Sequence, residues 1–377
     1  MERFTLKYIK KMFITFIAAL IGGAIFQLLH IPVPWLLGPL IVMAIGQNIF
    51  KWDVVWPNYL RDTGMILVGY TIGLSMTAAA LQEMAGQLPS MFLMTLLLML
   101  LSLGIASIIS KISKLDFQSA LLGSIPGGMT QIILLAEETK GINLAAVTLI
   151  QAIRLMIIVI MIPILVFLPF FAQHGAENTF FWQVTESVGL FPNLLFFLVV
   201  CVIFAVVGNK IRFPTAYLLG PVIATSLLQL TGLDGPQLPT ILTSLAQLMI
   251  GTHIGLILDT AQIQRKKWAF SLAIGSGLLL MGGSILLSIL LTMLHGVSKA
   301  TALLSLAPGG MDQMGIIAHE IKADLSIVSG YQLFRTFFIF FAVPPMFKLL
   351  LKVMERKKHN RKAFHHSKKS RYSRTEN

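Results

Sequence analysis

Pro126-Gly127-Gly128-Met129-Thr130-Gln131 interrupts an apolar run that extends from Phe117 to Glu137, and Pro308-Gly309-Gly310-Met311-Asp312-Gln313 interrupts another 182 residues later. Proline removes a backbone donor and glycine admits dihedrals closed to other residues, so a helix breaks at such a stretch. The arms beside the first break, Phe117–Ile125 and Met129–Glu137, have nine residues each. At 1.5 Å per residue each arm is about 13–14 Å long. That reaches the middle of a hydrocarbon layer about 30 Å thick. Two readings are open: a re-entrant helix pair that enters and leaves on one side, or a Pro-kinked helix that crosses fully.

The same register runs far beyond the breaks. Pro32 falls on Pro214, Leu36-Leu37-Gly38-Pro39 on Leu218-Leu219-Gly220-Pro221, Gly69 on Gly251, and Ile72-Gly73-Leu74 on Ile254-Gly255-Leu256. After a one-residue deletion, Gln151, Arg154 and Pro163 meet Gln332, Arg335 and Pro344 at an offset of 181. One offset held over that distance marks an internal duplication. Gly69–Gly73 and Gly251–Gly255 have the spacing that lets helices pack closely in lipid.

Composition fixes the surroundings of the duplicated unit. Hydrophobic residues make up 56% of the chain and charged residues 12%, and the mean hydropathy is +0.81. A soluble domain carries about 25% charged residues. The net charge of +13 is concentrated at one end, since residues 352–377 hold ten Lys or Arg against Glu355 and Glu376. A basic tail after a membrane span faces anionic lipid on the cytoplasmic side, and no nucleic-acid-binding pattern accompanies it. The single cysteine, Cys201, excludes an internal disulfide framework. The basic start and the apolar stretch Met12–Leu29 could be a cleaved leader. Its internal counterpart near 194–208 makes it a first transmembrane helix instead.

Each unit has six apolar segments, near 12–29, 35–50, 60–80, 88–110, 117–137 and 143–170, and again near 194–208, 216–231, 238–258, 268–294, 299–319 and 324–351. Lys51, Arg61, Lys111, Lys114, Lys210, Arg212 and Arg265–Lys267 lie between segments, while the linker 171–193 carries Glu177 and Glu186 and no Lys or Arg. Placing the basic loops inside requires an odd number of crossings per unit. If the fifth segment does not cross, every basic loop except the one at Lys299 is inside. The expected fold is an all-α polytopic membrane protein of two inverted-topology repeats, each of about five transmembrane helices plus one broken or re-entrant helix. Its parts are a cytoplasmic N-terminus (1–11), membrane repeats at 12–170 and 194–351, an extracytoplasmic linker (171–193) and a basic cytoplasmic tail (352–377).

Arg154 and Arg335 lie eleven residues past Asn143 and Asp324, about 16 Å along a helix and near the depth of the breaks. A charge there costs roughly 2.5–3.5 kcal/mol on insertion scales and needs a partner or a polar cavity. Each arginine could cap carbonyls at a break or hold an anion. Gln151 and Gln332 share their faces at i−3. A helix N-terminus after Gly-Gly offers free N–H groups to an anion. The expected solute contacts are therefore Gly127, Gly128, Thr130, Gln131 and Arg154 in one unit and Gly309, Gly310, Gln313 and Arg335 in the other. Asp312 replaces Thr130 and is either a proton or sodium ligand or a helix cap. His30, His253 and His319 make no metal-ligand spacing.

The duplicated unit resembles the AbrB membrane family through Pro34-Trp35-Leu36-Leu37-Gly38-Pro39, its second copy, and the paired Pro-Gly-Gly-Met segments, over about residues 10–350. Members are often labelled ammonia monooxygenase or regulator. The resemblance implies a distant likeness to antiporter and anion-transporter folds with broken helices. No clustered ligands support an oxygenase, so no cofactor and no enzyme activity are expected. No soluble domain stands ready to deliver a regulatory signal. The expected function is secondary transport of a small polar, anionic solute by alternating access in the bacterial cytoplasmic membrane, both termini inside. A membrane-embedded regulator is the alternative. Expected partners are the bilayer, the solute and H⁺ or Na⁺, with homodimerisation open and nucleic acid excluded.

Overall fold

The computed structural model describes residues 2–377 apart from 114, 128, 140, 169, 172–192, 258–266 and 373–377. The expected linker falls almost wholly outside the described residues, as do Arg265 and Lys266. Among the described residues every regular element is a helix. The first repeat forms α1 (Glu2–Leu28), α2 (Pro34–Asn48), α3 (Asn58–Ser75), α4 (Ala78–Gly86), α5 (Leu88–Ile112), α6 (Phe117–Ser124), α7 (Met129–Glu138) and α8 (Leu144–Val166). The second forms α9 (Asn193–Lys210), α10 (Ala216–Leu230), α11 (Thr240–Ile257), α12 (Lys267–His295), α13 (Lys299–Leu306), α14 (Met311–Glu320) and α15 (Leu325–Tyr372).

Seven helices are long and apolar enough to span a bilayer, namely α1, α5, α8, α9, α11, α12 and the Leu325–Phe347 part of α15. The chain is thus a multi-pass membrane protein. Ten long spans were expected, and the shortfall lies in three places. The second segments, α2 and α10, have 15 residues each, about 22 Å at 1.5 Å per residue. The third segment of the first repeat, expected to run to residue 80, ends at Ser75. The chain turns by 83° there into α4, which Thr77 caps by accepting the Ala80 N–H at 3.2 Å. The boundary expected at residue 352 does not interrupt α15, which continues to Tyr372.

The helices gather into two bodies, and each body draws on both repeats. In the first, α1 lies along α2 and α9 along α10, while α2 packs on α11 and α3 on α10. Backbones touch at these crossings. A Cβ on Gly69 would come within 3.0 Å of the Leu218 carbonyl oxygen, and one on Gly251 equally close to that of Leu36. One turn on, Gly73 meets the Val222 oxygen and Gly255 that of Leu40. Leu36 and Leu218 are equivalent in the duplication, as are Leu40 and Val222, so the two contacts are reciprocal. The small-residue spacing read from sequence is therefore a helix-packing device.

The second body contains α5–α8 and α12–α15. Its sixth helices are the most enclosed. Half of the residues in the α8 and α15 spans are buried, against 22% in α1 and 28% in α9. The pairing is not wholly symmetric, because α8 lies broadly along α12 while α15 meets its equivalent, α5, only slightly. The two bodies meet where α14 and α15 lie on α3.

Candidate functional site

The broken segments have the same construction in both repeats. Asp116 caps α6 through the Ser119 N–H at 2.8 Å, and Ser298 caps α13 through the Thr301 N–H at 3.1 Å. Asn143 and Asp324 cap the sixth helices in the same way. A second bond ties these starts together. Ser119 Oγ accepts the Asn143 N–H at 2.8 Å, and Thr301 Oγ1 accepts the Asp324 N–H at 3.2 Å. The residue that follows the second arm thus sits beside the start of the first arm. Each broken segment runs out to its tip and folds back, as a pair of half-helices. A kinked helix running straight through would hold these residues far apart.

At the tips, the deep polar side chains of α8 and α15 turn inward. Arg154 Nη1 donates to the Ile125 oxygen at 2.7 Å and the Gly123 oxygen at 3.4 Å. Gln151 Nε2 donates to the oxygens of Leu122 and Ile125 at 2.7 and 3.2 Å, and its Oε1 accepts from Arg154 Nη2. In the second repeat, Arg335 donates to the oxygens of Ala307 and Gly309 at 2.8 and 2.9 Å. Gln332 accepts from Arg335 and donates to Leu304 and Ala307. Both arginines are 4% exposed. Each is the eleventh residue of its 23-residue span, so both charges lie near half-depth. Of the two uses open to the arginines, capping of the last carbonyls of α6 and α13 is the one the geometry displays. The cations sit at the negative ends of those half-helices.

Capping does not discharge them. Among the described residues the ion pairs are Lys11 with Asp53 and Arg61 with Asp62. Among the described residues no carboxylate pairs with Arg154 or Arg335, and Arg154 Nε is buried without a hydrogen-bond partner there. The tips also cross over between repeats. A Cβ on Gly127 would meet Ile339, one turn beyond Arg335, at 2.8 Å. A Cβ on Gly309 would meet Ile158, one turn beyond Arg154, at 3.1 Å. Each break thus lies against the arginine-bearing helix of the other repeat.

The remaining expected contacts divide between the repeats. Gly128 and the side chains of Thr130 and Gln131 lie outside the described residues. In the second repeat, Gly310 is the N-cap of α14 and donates its N–H to Gln313 Oε1 at 2.7 Å. Gln313 Nε2 donates to Asp312 Oδ2 at 2.9 Å. Asp312, 8% exposed, thus stands in the first turn of α14 and not at its cap. An anion at Asp and a positive helix terminus stabilise one another. This terminus already carries its own carboxylate, whereas the α7 terminus has Thr130 in that position.

Some contacts at the site have no motif in the sequence. Arg61 Nη1 lies 3.3 Å from His253 Nε2, and Gln247 Nε2 donates to Glu320 Oε2 at 3.3 Å, a bond between the two bodies. The Ser119–Asn143 and Thr301–Asp324 ties were detectable, because a hydroxyl and an Asx recur at equivalent positions of the duplication. A cavity of about 390 Å³ is lined by Gln47, Trp52, Asp53, Trp56 and His253, and none of the expected site residues lines it.

The sequence profile described as "Transition state regulatory protein AbrB" matches residues 45–351. The chain is 25% identical over 347 residues to "Uncharacterized protein YhjN" of Bacillus subtilis (strain 168), covering 87% of this chain and 90% of that protein. It is 24% identical over 326 residues to "Putative regulator AbrB" of Escherichia coli (strain K12), covering 86% and 92%.

Proposed function

The chain belongs to the AbrB family, and we propose that it is a secondary transporter which carries a small anion between the tips of its two broken helix pairs. The observation that carries this reading is the pair of buried arginines with no carboxylate partner among the described residues. Two such charges at half-depth are costly in a protein that only needs to pack, and an anionic solute compensates them. Backbone broken at membrane depth is stable where protein or a water-filled cavity covers it. Converging tips with half-helix termini are a solute-binding arrangement of transporters built from inverted repeats.

The orientation follows from the loop charges. The termini lie in the cytoplasm, α6–α7 enters and returns on the cytoplasmic side, and α13–α14 does so on the outer side. Unequal packing of α8 on α12 and of α15 on α5 supports alternating access, since exchanging the roles of the repeats would open the opposite face. In a Cys201→Ser background, Ile142→Cys is expected to react with an impermeant thiol reagent only from the cytoplasmic side, and Lys322→Cys only from outside. Reaction of both from one side would defeat the inverted arrangement.

Proteoliposomes should accumulate at least one member of a radiolabelled panel of mono- and dicarboxylates, sulfate and phosphate, above protein-free vesicles. Uptake of none of them would overturn the reading. The regulatory names of the relatives favour a second reading, in which the chain binds a partner and carries nothing. Absent flux together with specific co-purification of one protein would support it.

A further inference from the structure

α14 is lined on one side by a narrow crevice. It lies between the two bodies, among Leu67, Val68, Thr71 and Ile72 of α3, Thr243, Ala246 and Gln247 of α11, and Gly315, Ile316 and His319 of α14. Its volume is about 20 Å³. A cavity needs about 10–15 Å³ to admit one water, so the crevice is large enough for a water and too small for an organic solute. Thr71, Thr243, Gln247 and His319 are among its lining residues, between mostly apolar walls. Along α14 it reaches His319, which is exposed. At its other end is Gly315, where a Cβ would stand 2.7 Å from Ile72 Cδ1. Gly315 is three residues from Asp312, on the same face of the helix. In the first repeat Ile133 and Glu137 stand where the second has Gly315 and His319.

The surroundings of Asp312 select among ions. The side-chain partner of its carboxylate is a donor, Gln313 Nε2. That amide cannot be turned to offer oxygen, because its Oε1 is held by the Gly310 N–H. A hard metal cation takes several oxygen ligands. A proton needs one carboxylate oxygen and a route of water. Among the described residues no three acidic, histidine or cysteine side chains converge to hold a metal ion.

The other charged and titratable groups near α14 are accounted for. On α3, Arg61 bonds Asp62 and meets His253 of α11. On α15, Arg335 is turned to the carbonyls of Ala307 and Gly309, and Tyr331 to Ser90. α13 carries only Lys299, at its far end. His319 lines the crevice, and Glu320 follows it in the chain.

We propose that Asp312 is a proton site, supplied with water through the crevice that runs along α14 from His319 to Gly315. Its role in coupling rests on the transport reading above, but its protonation does not. Protonating Asp312 leaves the two arginines as the net charge at the tips, so proton and anion favour each other's binding. Linkage makes that preference reciprocal, and the two would move together.

Infrared difference spectroscopy of the protein in liposomes, with no solute added, tests this apart from transport. Lowering the pH should raise a protonated-carboxyl band that is missing in Asp312→Asn and unchanged when KCl is replaced by NaCl. Absence of the band, or its suppression by sodium, would overturn the proton assignment. In D2O the band should shift during mixing in the wild type. The shift should be slowed roughly ten-fold in Gly315→Val, as expected for about 1.4 kcal/mol of added barrier, and less in the milder Gly315→Ala. Adding Ile72→Ala should restore the rate. A wild-type rate in Gly315→Val would overturn the crevice as the route. Anion flux measured on the same variants separates the two proposals, because flux with no band defeats only this one.

Discussion

Gly251→Val should lower the stability of the purified protein by about 3 kcal/mol or more, and Gly69→Val by a similar amount. Each new side chain would be driven into a carbonyl oxygen of the other repeat, Leu36 for Gly251 and Leu218 for Gly69. A flexible side chain can move aside at small cost, but these neighbours are backbone within α2 and α10, each held by its own helix hydrogen bonds. Overpacking of a yielding core typically costs 1–3 kcal/mol, and an unyielding one lies at or above the top of that range. Gly275→Val and Gly282→Val are the controls, because no atom lies within 4 Å of a Cβ at either position on α12. They should leave stability within about 0.5 kcal/mol of wild type. The single cysteine provides the readout. Cys201 is fully buried in α9, beside Pro221 and Thr225 of α10. A thiol-reactive fluorophore therefore reports opening of the same body. Equal melting of Gly251→Val and Gly275→Val would show that the α2–α11 crossing does not hold that body together.

The same pair of glycines shows what the sequence could reveal. Their spacing announced close helix approach, and the offset of 182 announced that it would occur twice. It did not say that the partner of each would be the other repeat. That choice depends on the three-dimensional exchange of α2 and α3 between units, for which periodicity carries no signal. The broken segments were legible in detail, because Pro-Gly-Gly acts locally on backbone dihedrals. The end of α3 was not. The apolar run 60–80 continues through Met76 and Thr77, and only the Thr77 cap at the start of α4 marks the turn. Arg154 and Arg335 were placed level with the breaks by counting residues, and their side chains do reach the carbonyls there, yet their use as caps depends on side-chain direction. Arg61 and His253 were invisible as a pair, since they are brought together by the packing of α3 on α11 and share no motif.

Replacing both Arg154 and Arg335 by Gln should abolish anion uptake while leaving much of the fold intact, and the contrast between the two measurements is the point of the test. On stability, opposing terms nearly cancel. Each substitution removes a donor from the tip carbonyls: Gly123 and Gly309 lose their arginine bond, while Ile125 and Ala307 keep the bonds from Gln151 and Gln332. An unpaired buried carbonyl costs about 1–3 kcal/mol. Each substitution also removes a charge whose place at mid-membrane costs roughly 2.5–3.5 kcal/mol. The variant amide can recover one of the lost bonds. A net loss of about 1–3 kcal/mol follows, and the protein should still be recovered as a monodisperse species. On binding, nothing cancels. Hydrogen bonding to a charged group contributes about 1.5–3 kcal/mol apiece, so losing both cations should reduce uptake of whichever anion the wild type carries by roughly a hundred-fold or more. Arg335→Lys separates charge from geometry. A lysine keeps the charge but lacks the planar fork that spans Ala307, Gly309 and Gln332. It should therefore destabilise the tip yet retain part of the uptake. If the double variant is stable and transports like wild type, the arginines are structural caps alone, and the anion must be held by groups other than those gathered at the two breaks.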